Sequence, residues 1–234
     1  MAQGPPAPRT LESARQQAAE ASGGISNDAI YSAIVRALDE VRAGGSVLDL
    51  GAGTGSFARR LLHSQRFDRV SAADLMECPA DLDLDWIRAD LNDPLPLPSE
   101  SFDTIVAAEV IEHLENPRAM AREVFRLLRP GGHAIISTPN NESWRSLLSL
   151  WLRGHHIAFL DVSYPAHITA LVRKDVERIL VEAGFEKPTF RFTNEGGIPG
   201  TPTITWQKIS AGMLRGLRYS DNVIAIARKP GAGS

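Results

Sequence analysis

Between residues 46 and 62 the chain reads Ser46-Val47-Leu48-Asp49-Leu50-Gly51-Ala52-Gly53-Thr54-Gly55-Ser56-Phe57-Ala58-Arg59-Arg60-Leu61-Leu62. An apolar run, an acid, three alternating glycines and a mixed apolar and basic run predict a strand at about 46–50, a tight turn and a helix at about 56–64. The glycines leave bare backbone where a ligand can approach, and the N–H groups that open the helix have no partners within it. Asp49 heads the turn. A carboxylate there disfavours a pyrophosphate and suits a cationic or amine-bearing ligand. The unit therefore points to a nucleoside cofactor and to an enzyme.

The same alternation continues along the chain. Ser26 or Asn27 can cap a helix whose Ile30, Ile34, Val35, Leu38 and Val41 form one stripe, ended by Gly44-Gly45. Strands are predicted at Val70–Ala73, Trp86–Ala89, Phe102–Ala108, His133–Thr138, 187–192 and 221–228. Amphipathic helices are predicted at 117–128, stopped by Pro130-Gly131-Gly132, and from Arg173 to Gly184. This order predicts an α/β fold, a doubly wound, mostly parallel sheet with helices on both faces. The 234 residues suffice for one such domain, placed at 23–230 after a flexible segment at 1–22. Two stretches, 141–166 and 193–220, break the alternation and are candidate substrate covers.

Composition narrows the partners. The net charge of -3 gives no general drive toward nucleic acid. Cys78 is the only cysteine, so no intrachain disulfide forms and a cytoplasmic setting fits. No apolar stretch is long enough to span a bilayer, and residues 1–9 lack the apolar segment of a signal peptide. A monomer or a homodimer is expected.

In open α/β sheets the ligand lies beyond the carboxyl ends of the strands. Asp74 ends the second strand, where its carboxylate can accept both hydroxyls of a ribose. Asp90 and Leu91 end the third, placed to meet an adenine amine and its ring face. A dinucleotide site is a rival, because the spacing from the glycines to Asp74 suits it too. Against it, Phe57 rather than a glycine follows the run, the acid Asp49 stands just ahead of the first glycine, and no second mononucleotide-binding half is evident.

With these, Ala73-Asp74-Leu75, Ala89-Asp90-Leu91, Phe102-Asp103-Thr104-Ile105-Val106, Glu109-Val110-Ile111-Glu112-His113-Leu114, Leu127-Leu128-Arg129-Pro130-Gly131-Gly132, Ser137-Thr138-Pro139-Asn140 and Glu182-Ala183-Gly184-Phe185 resemble, in order, the class I S-adenosylmethionine-dependent methyltransferases. The resemblance covers about 27–192. It implies a Rossmann-like sheet of seven strands with the last antiparallel. It implies that the methionine part of the cofactor lies along Asp49, Gly51, Ala52, Gly53 and Gly55. The ribose would lie on Asp74 beside Leu75, the adenine against Asp90 and Leu91, and Glu109 would line the methionine and substrate side.

Glu109, Glu112 and His113 follow the fourth strand. If that segment is helical, they share a face. Two carboxylates and an imidazole, with His167 returning from later in the chain, would then suit a divalent ion such as Mg²⁺, Mn²⁺ or Zn²⁺. This pattern resembles that of ubiquinone-biosynthesis-type and small-RNA 2′-O-methyltransferases. The bland reading has Glu109 touching cofactor, Glu112 pairing locally and His113 as a base or a structural hydrogen-bonder. His113 and His167 are the candidate catalytic residues, because a neutral imidazole can take a hydroxyl proton near pH 7.

The expected acceptor is a small-molecule hydroxyl on a sugar, phenol or other natural-product intermediate. N-methylation of a small amine or amino sugar is the alternative, and metal-dependent RNA ribose methylation a further one. Nucleic acid is disfavoured, because the basic residues Arg145, Arg153, Arg173, Lys174, Lys208, Arg215 and Arg218 are scattered without aromatic interleaving. A stripe of Trp144, Leu147, Leu148, Trp151 and Leu152 is read as a cover over the acceptor, a membrane or subunit contact, or packing against the chain's own core.

Overall fold

The computed structural model describes residues 24, 26–201 and 203–233. The expected flexible segment at 1–22 lies outside the described residues. Seven strands form one sheet: β1 (Ser46–Leu50), β2 (Arg69–Asp74), β3 (Asp85–Arg88), β4 (Phe102–Ala108), β5 (Leu128–Pro139), β6 (Thr189–Phe192) and β7 (Asn222–Arg228). Their order is β3-β2-β1-β4-β5-β7-β6, and only β7 runs against its neighbours. The expected topology, with the last strand antiparallel, is the one observed.

All five residues of β1 are buried. That burial follows from helices on both faces, and the side chains alternate between two cores as the two-residue period of a strand requires. Leu48, Leu50, Ile105 and Ala107 face α3 (Pro117–Leu127) and α5 (Arg173–Ala183). Val47, Val106 and Ala108 face α1 (Asp28–Glu40) and α2 (Ser56–His63). Asn27 caps α1, its Oδ1 accepting the Ile30 N–H at 3.0 Å. Asn116 caps α3 in the same way, with Pro117 in the first turn, where a missing N–H costs nothing.

The helix predicted to run to residue 128 ends at Leu127, and β5 starts at Leu128 rather than His133. Pro130 disfavours helical backbone at Arg129, so the chain turns extended early. Leu128 pairs with Phe102 and His133 with Thr104, the register shifting across the residues between.

Beyond β5 the stretch 141–166 contains α4 (Trp144–Arg153) and a single 3₁₀ turn at Asp161–Ser163. The stretch 193–220 contains α6 (Trp206–Ile209) and a 3₁₀ turn at Leu217–Tyr219.

Candidate active site

A cavity of about 620 Å³ opens at the carboxyl ends of β1, β2 and β4, walled on one side by α1 and on the other by residues 164–168. The glycine turn forms its floor. Gly51 N–H donates to the Ala73 carbonyl at 2.8 Å and Gly53 N–H to Asp74 Oδ2 at 2.7 Å, which ties the turn to β2. Gly51 has φ 79°, and a Cβ there would stand 2.3 Å from Val110 Cγ2. Gly53 has φ 53°, and its Cβ would stand 2.3 Å from the Gly24 carbonyl oxygen. Only glycine fits either place. Gly55 precedes α2 in left-handed backbone, and a Cβ there would meet Leu82 rather than the cavity.

Asp74, Leu75, Asp90 and Leu91 line the cavity beside Ala52. The Asp74 carboxylate also receives the Met76 N–H on Oδ1 at 2.8 Å, and Asp90 Oδ1 receives the backbone and side-chain N–H groups of Asn92. Lone pairs remain on the Asp74 carboxylate for further donors. Asp49 is 1% exposed, and its Oδ2 is buried without a hydrogen-bond partner. Burial, and then the nearby charge of Asp74, push its carboxyl up to about 7. A nucleoside bearing an ammonium group fits this donor set. The turn is a cradle that side chains would fill, the Asp74 carboxylate lines the same cavity, and the orphaned Asp49 oxygen is one a cation satisfies.

The far side of the cavity is built from the end of β4 and a distant loop. Glu109 sits at φ 56°, an unusual backbone for a non-glycine residue. That twist turns its carboxyl toward the sheet, where Ser137 Oγ donates to Oε1 and Asn222 Nδ2 to Oε2, each at 2.8 Å. Burial pushes Glu109 up to about 7 against those two hydrogen bonds. Ile111–His113 then makes one 3₁₀ turn. It puts Glu112 at 0% exposure, with Oε2 accepting from Thr138 Oγ1 at 3.1 Å and Oε1 without a hydrogen bond, 4.0 Å from His113 Nε2. Burial, and then Glu109, push the Glu112 carboxyl well above the usual carboxylate range.

His167 is brought beside this turn because the Ile168 and Thr169 N–H groups both donate to the Glu112 carbonyl, at 3.0 and 2.9 Å. The rings of His113 and His167 meet edge to face, centroids 4.8 Å apart. Nδ1 of His113 lies 2.8 Å from the Ala166 carbonyl, and Nδ1 of His167 lies 2.7 Å from the Ala158 carbonyl. Those partners assign the proton to Nδ1 and leave Nε2 as the accepting nitrogen of each ring. Burial, and then His167, lower His113 to about 4 against the Ala166 and Glu109 carbonyls, and burial lowers His167. One ligand atom each from Glu112, His113 and His167 lies within 4.8 Å of the others. Of the four residues expected around an ion, these three come together and Glu109 turns to Ser137 and Asn222.

Comparison with known proteins agrees with this geometry. Residues 25–188 match the family model described as a methyltransferase domain. The chain belongs to the methyltransferase-domain family. Its cofactor is S-adenosylmethionine. It is 32% identical over 154 residues to the malonyl-[acyl-carrier protein] O-methyltransferase of Halorhodospira halophila, covering 61% of this chain and 48% of that one. It is 30% identical over 121 residues to the ubiquinone biosynthesis O-methyltransferase of Pseudomonas entomophila, covering 46% and 50%. The chain thus spans about half the length of these curated relatives. A solved S-adenosylmethionine-dependent methyltransferase from Archaeoglobus fulgidus superposes with a TM-score of 0.63 at 18% identity, over 90% of this chain and 97% of that one, and so shares the fold. Among the described residues no helix is long and apolar enough to cross a membrane.

Several wall residues escape the sequence reading. Tyr31 lies in the cavity, its hydroxyl accepting the Ser26 N–H at 3.0 Å and its ring stacked on Phe57 at 5.2 Å. Its place one residue past Ile30 on a capped helix was the available signal. Asn222 had none, since only the sheet order puts the start of β7 beside Glu109. From 141–166, Tyr164 and Pro165 reach the cavity, whereas no described residue of 193–220 lines it. His156 instead bonds Ser146 Oγ through Nδ1 at 2.9 Å, and His155 lies on the His156 carbonyl at 3.2 Å.

Proposed function

We propose that this chain transfers a methyl group from S-adenosylmethionine to a hydroxyl oxygen of a small molecule, a sugar, phenol or other natural-product intermediate. The observation that carries the reading is the Glu112, His113 and His167 cluster, whose two histidines line the cavity while Glu112 lies buried behind them. The cofactor supplies the electrophilic methyl group. The chain has to align the acceptor, exclude water and take or weaken the hydroxyl proton. Amine acceptors need no such proton-handling cluster once neutral. Two of the relatives named above are O-methyltransferases, which supports an oxygen acceptor.

The cluster also supports a metal-assisted version of the same reaction. An imidazole that protonates only near pH 4 is a weak base, but its neutral form is what a divalent ion binds. The Nδ1–H bonds to backbone carbonyls orient both rings as outer partners orient ligating histidines. Glu112 Oε1 is a buried oxygen with no protein donor. Glu112, His113 and His167 would hold the ion, and two imidazoles with a carboxylate suit Zn²⁺ or Mn²⁺ better than Mg²⁺. Bound there, the ion supplies charge that acidifies a hydroxyl.

The test is a panel of phenols, sugars and amines incubated with methyl-labelled cofactor, with and without chelator. Label in methyl ethers supports the reading, and label confined to amines overturns it. Calorimetric titration of chelated protein with Zn²⁺ and Mn²⁺ tests the ion apart from activity. Binding that disappears in Glu112→Gln is expected, and no heat with either ion leaves His113 and His167 to act as bases alone.

A further inference from the structure

Helix α4 is packed inside out. Its buried residues are Ser146 and Ser149, while its outward arc carries Trp144, Leu148, Trp151 and Leu152 at positions i, i+4, i+7 and i+8. Trp151 is 80% exposed, Leu152 63% and Trp144 48%. A helix with an apolar stripe ordinarily turns it to the core. Here small serines let the helix sit close to the protein, and the stripe faces outward. Such a contiguous apolar face marks a contact surface.

The flank of the same helix forms a groove of about 420 Å³ with residues 199–201, walled by Leu148, Leu152, Ile157 and Pro199. Ser149 reaches the groove wall with its hydroxyl buried and without a hydrogen-bond partner. Arg145 and Arg153 complete the lining. Arg145 is paired with Asp221 at 3.0 Å, but the Arg153 side chain makes no ion pair or hydrogen bond among the described residues. At the other end of the stripe the Arg218 guanidinium lies over the Trp144 ring, 5.2 Å from its centre, with one of its N–H groups donating to the Glu142 carbonyl at 2.7 Å. The helix itself has no acidic residue. Cations thus bracket an apolar, tryptophan-bearing face.

We propose that α4 and its flanking groove dock on the anionic phospholipids of a bilayer surface. Trp144 and Trp151 sit at headgroup depth, Arg153 and Arg218 meet lipid phosphates, and an acyl chain lies along Leu148, Leu152 and Ile157 with Ser149 Oγ donating to an ester oxygen. A second copy of the chain fits less well. A parallel two-fold contact through this helix sets Arg153 against its own copy, and an antiparallel one offers it no acidic residue, since the helix has none. From Arg153 the chain runs on to Tyr164 and Pro165 in the cavity wall, so docking would hold the acceptor entrance near the lipid. The inference goes beyond the proposed reaction and does not depend on it.

The experiment is co-sedimentation of the full chain with phosphatidylcholine vesicles, with and without phosphatidylglycerol, while following tryptophan emission. Binding to the anionic vesicles, a blue shift and weakening by salt are expected. The double variant Trp151→Ser with Leu152→Ser should weaken binding about tenfold or more, and Arg153→Glu about fivefold or more. Both variants should bind S-adenosylhomocysteine within about twofold of the parent, since none of the three residues lines the cofactor cavity. No binding, equal binding to neutral vesicles, or binding unmoved by the variants overturns the proposal. So does a concentration-dependent dimer that the double variant dissolves, which would give the face to a second copy. Retention on polyglutamate without vesicle binding would give it to an acidic protein and overturns it too.

Discussion

Asp49 is the residue whose environment is most at odds with its chemistry. A carboxyl held up to about 7 by burial and by Asp74 is largely protonated in mildly acidic solution. A cofactor ammonium beside the unpartnered Oδ2 would reverse that preference, because an opposite charge favours the ionised form. Binding of S-adenosylhomocysteine at about pH 6 is therefore expected to release a proton. Calorimetry in buffers of different ionisation heat measures it. Asp49→Asn should abolish the release and weaken binding about 10- to 100-fold, the range for losing a hydrogen bond to a charged group. Release that persists in the variant would confine Asp49 to shaping the turn. Gly53→Ala tests the turn itself. The new methyl would meet the Gly24 carbonyl in backbone that side chains avoid, so lower stability and loss of cofactor binding are expected together. A variant that binds like the parent would show that the turn relaxes at little cost.

Among the elements, legibility followed locality. Strand β1, its glycine turn and α2 could be read because apolar period, acid and glycines are adjacent in sequence. The capped start of α1 was legible for the same reason, whereas the Asn116 cap of α3 was not read, only the helix's start at 117. The Glu109, Glu112 and His113 spacing suggested one helical face, but the segment makes a single 3₁₀ turn after a left-handed Glu109. That change of backbone separates Glu109 from the other two, and nothing in the residue spacing signals it. Helix α1 allows an element-scale test, since its cap and first turn both stabilise the helix and wall the cavity. Asn27→Ala should cost about 1 kcal/mol, which for a chain of this size lowers Tm by about 2–4 °C. Saturating S-adenosylhomocysteine should narrow that gap only if the helix still forms against the ligand. A gap unchanged by ligand would separate the cap from the site.

Over the whole molecule, the site makes opposing demands on pH. His113 is lowered to about 4, so as pH falls from its ordinary value toward 4 the unfolded chain takes up a proton that the folded chain refuses, and stability falls. Glu109 and Glu112 are raised, so their contribution is fully present below ordinary carboxylate values and is lost as pH rises through their folded values, about 7 for Glu109 and higher in direction for Glu112. Each slope is about 1.4 kcal/mol per pH unit per group. The two signs offset one another in mildly acidic solution, and above the ordinary histidine value only the carboxyl slope remains. These couplings join β4, β5, β7 and the loop bearing His167, which is why only the folded sheet reveals them. Chelated protein should therefore lose stability from about pH 6.5 upward. Glu112→Gln removes one ionisable group from that slope, so its Tm should gain on the parent's as pH rises. Zn²⁺ works in the opposite sense, since it binds the ionised carboxylate and neutral imidazoles and should raise the parent's Tm most at alkaline pH while leaving Glu112→Gln unmoved. Thermal unfolding of both proteins across pH, with and without the ion, measures all of this. Parallel curves would mean that Glu112 is already ionised in the folded chain, and the buried cluster would then need a resident positive charge to explain it.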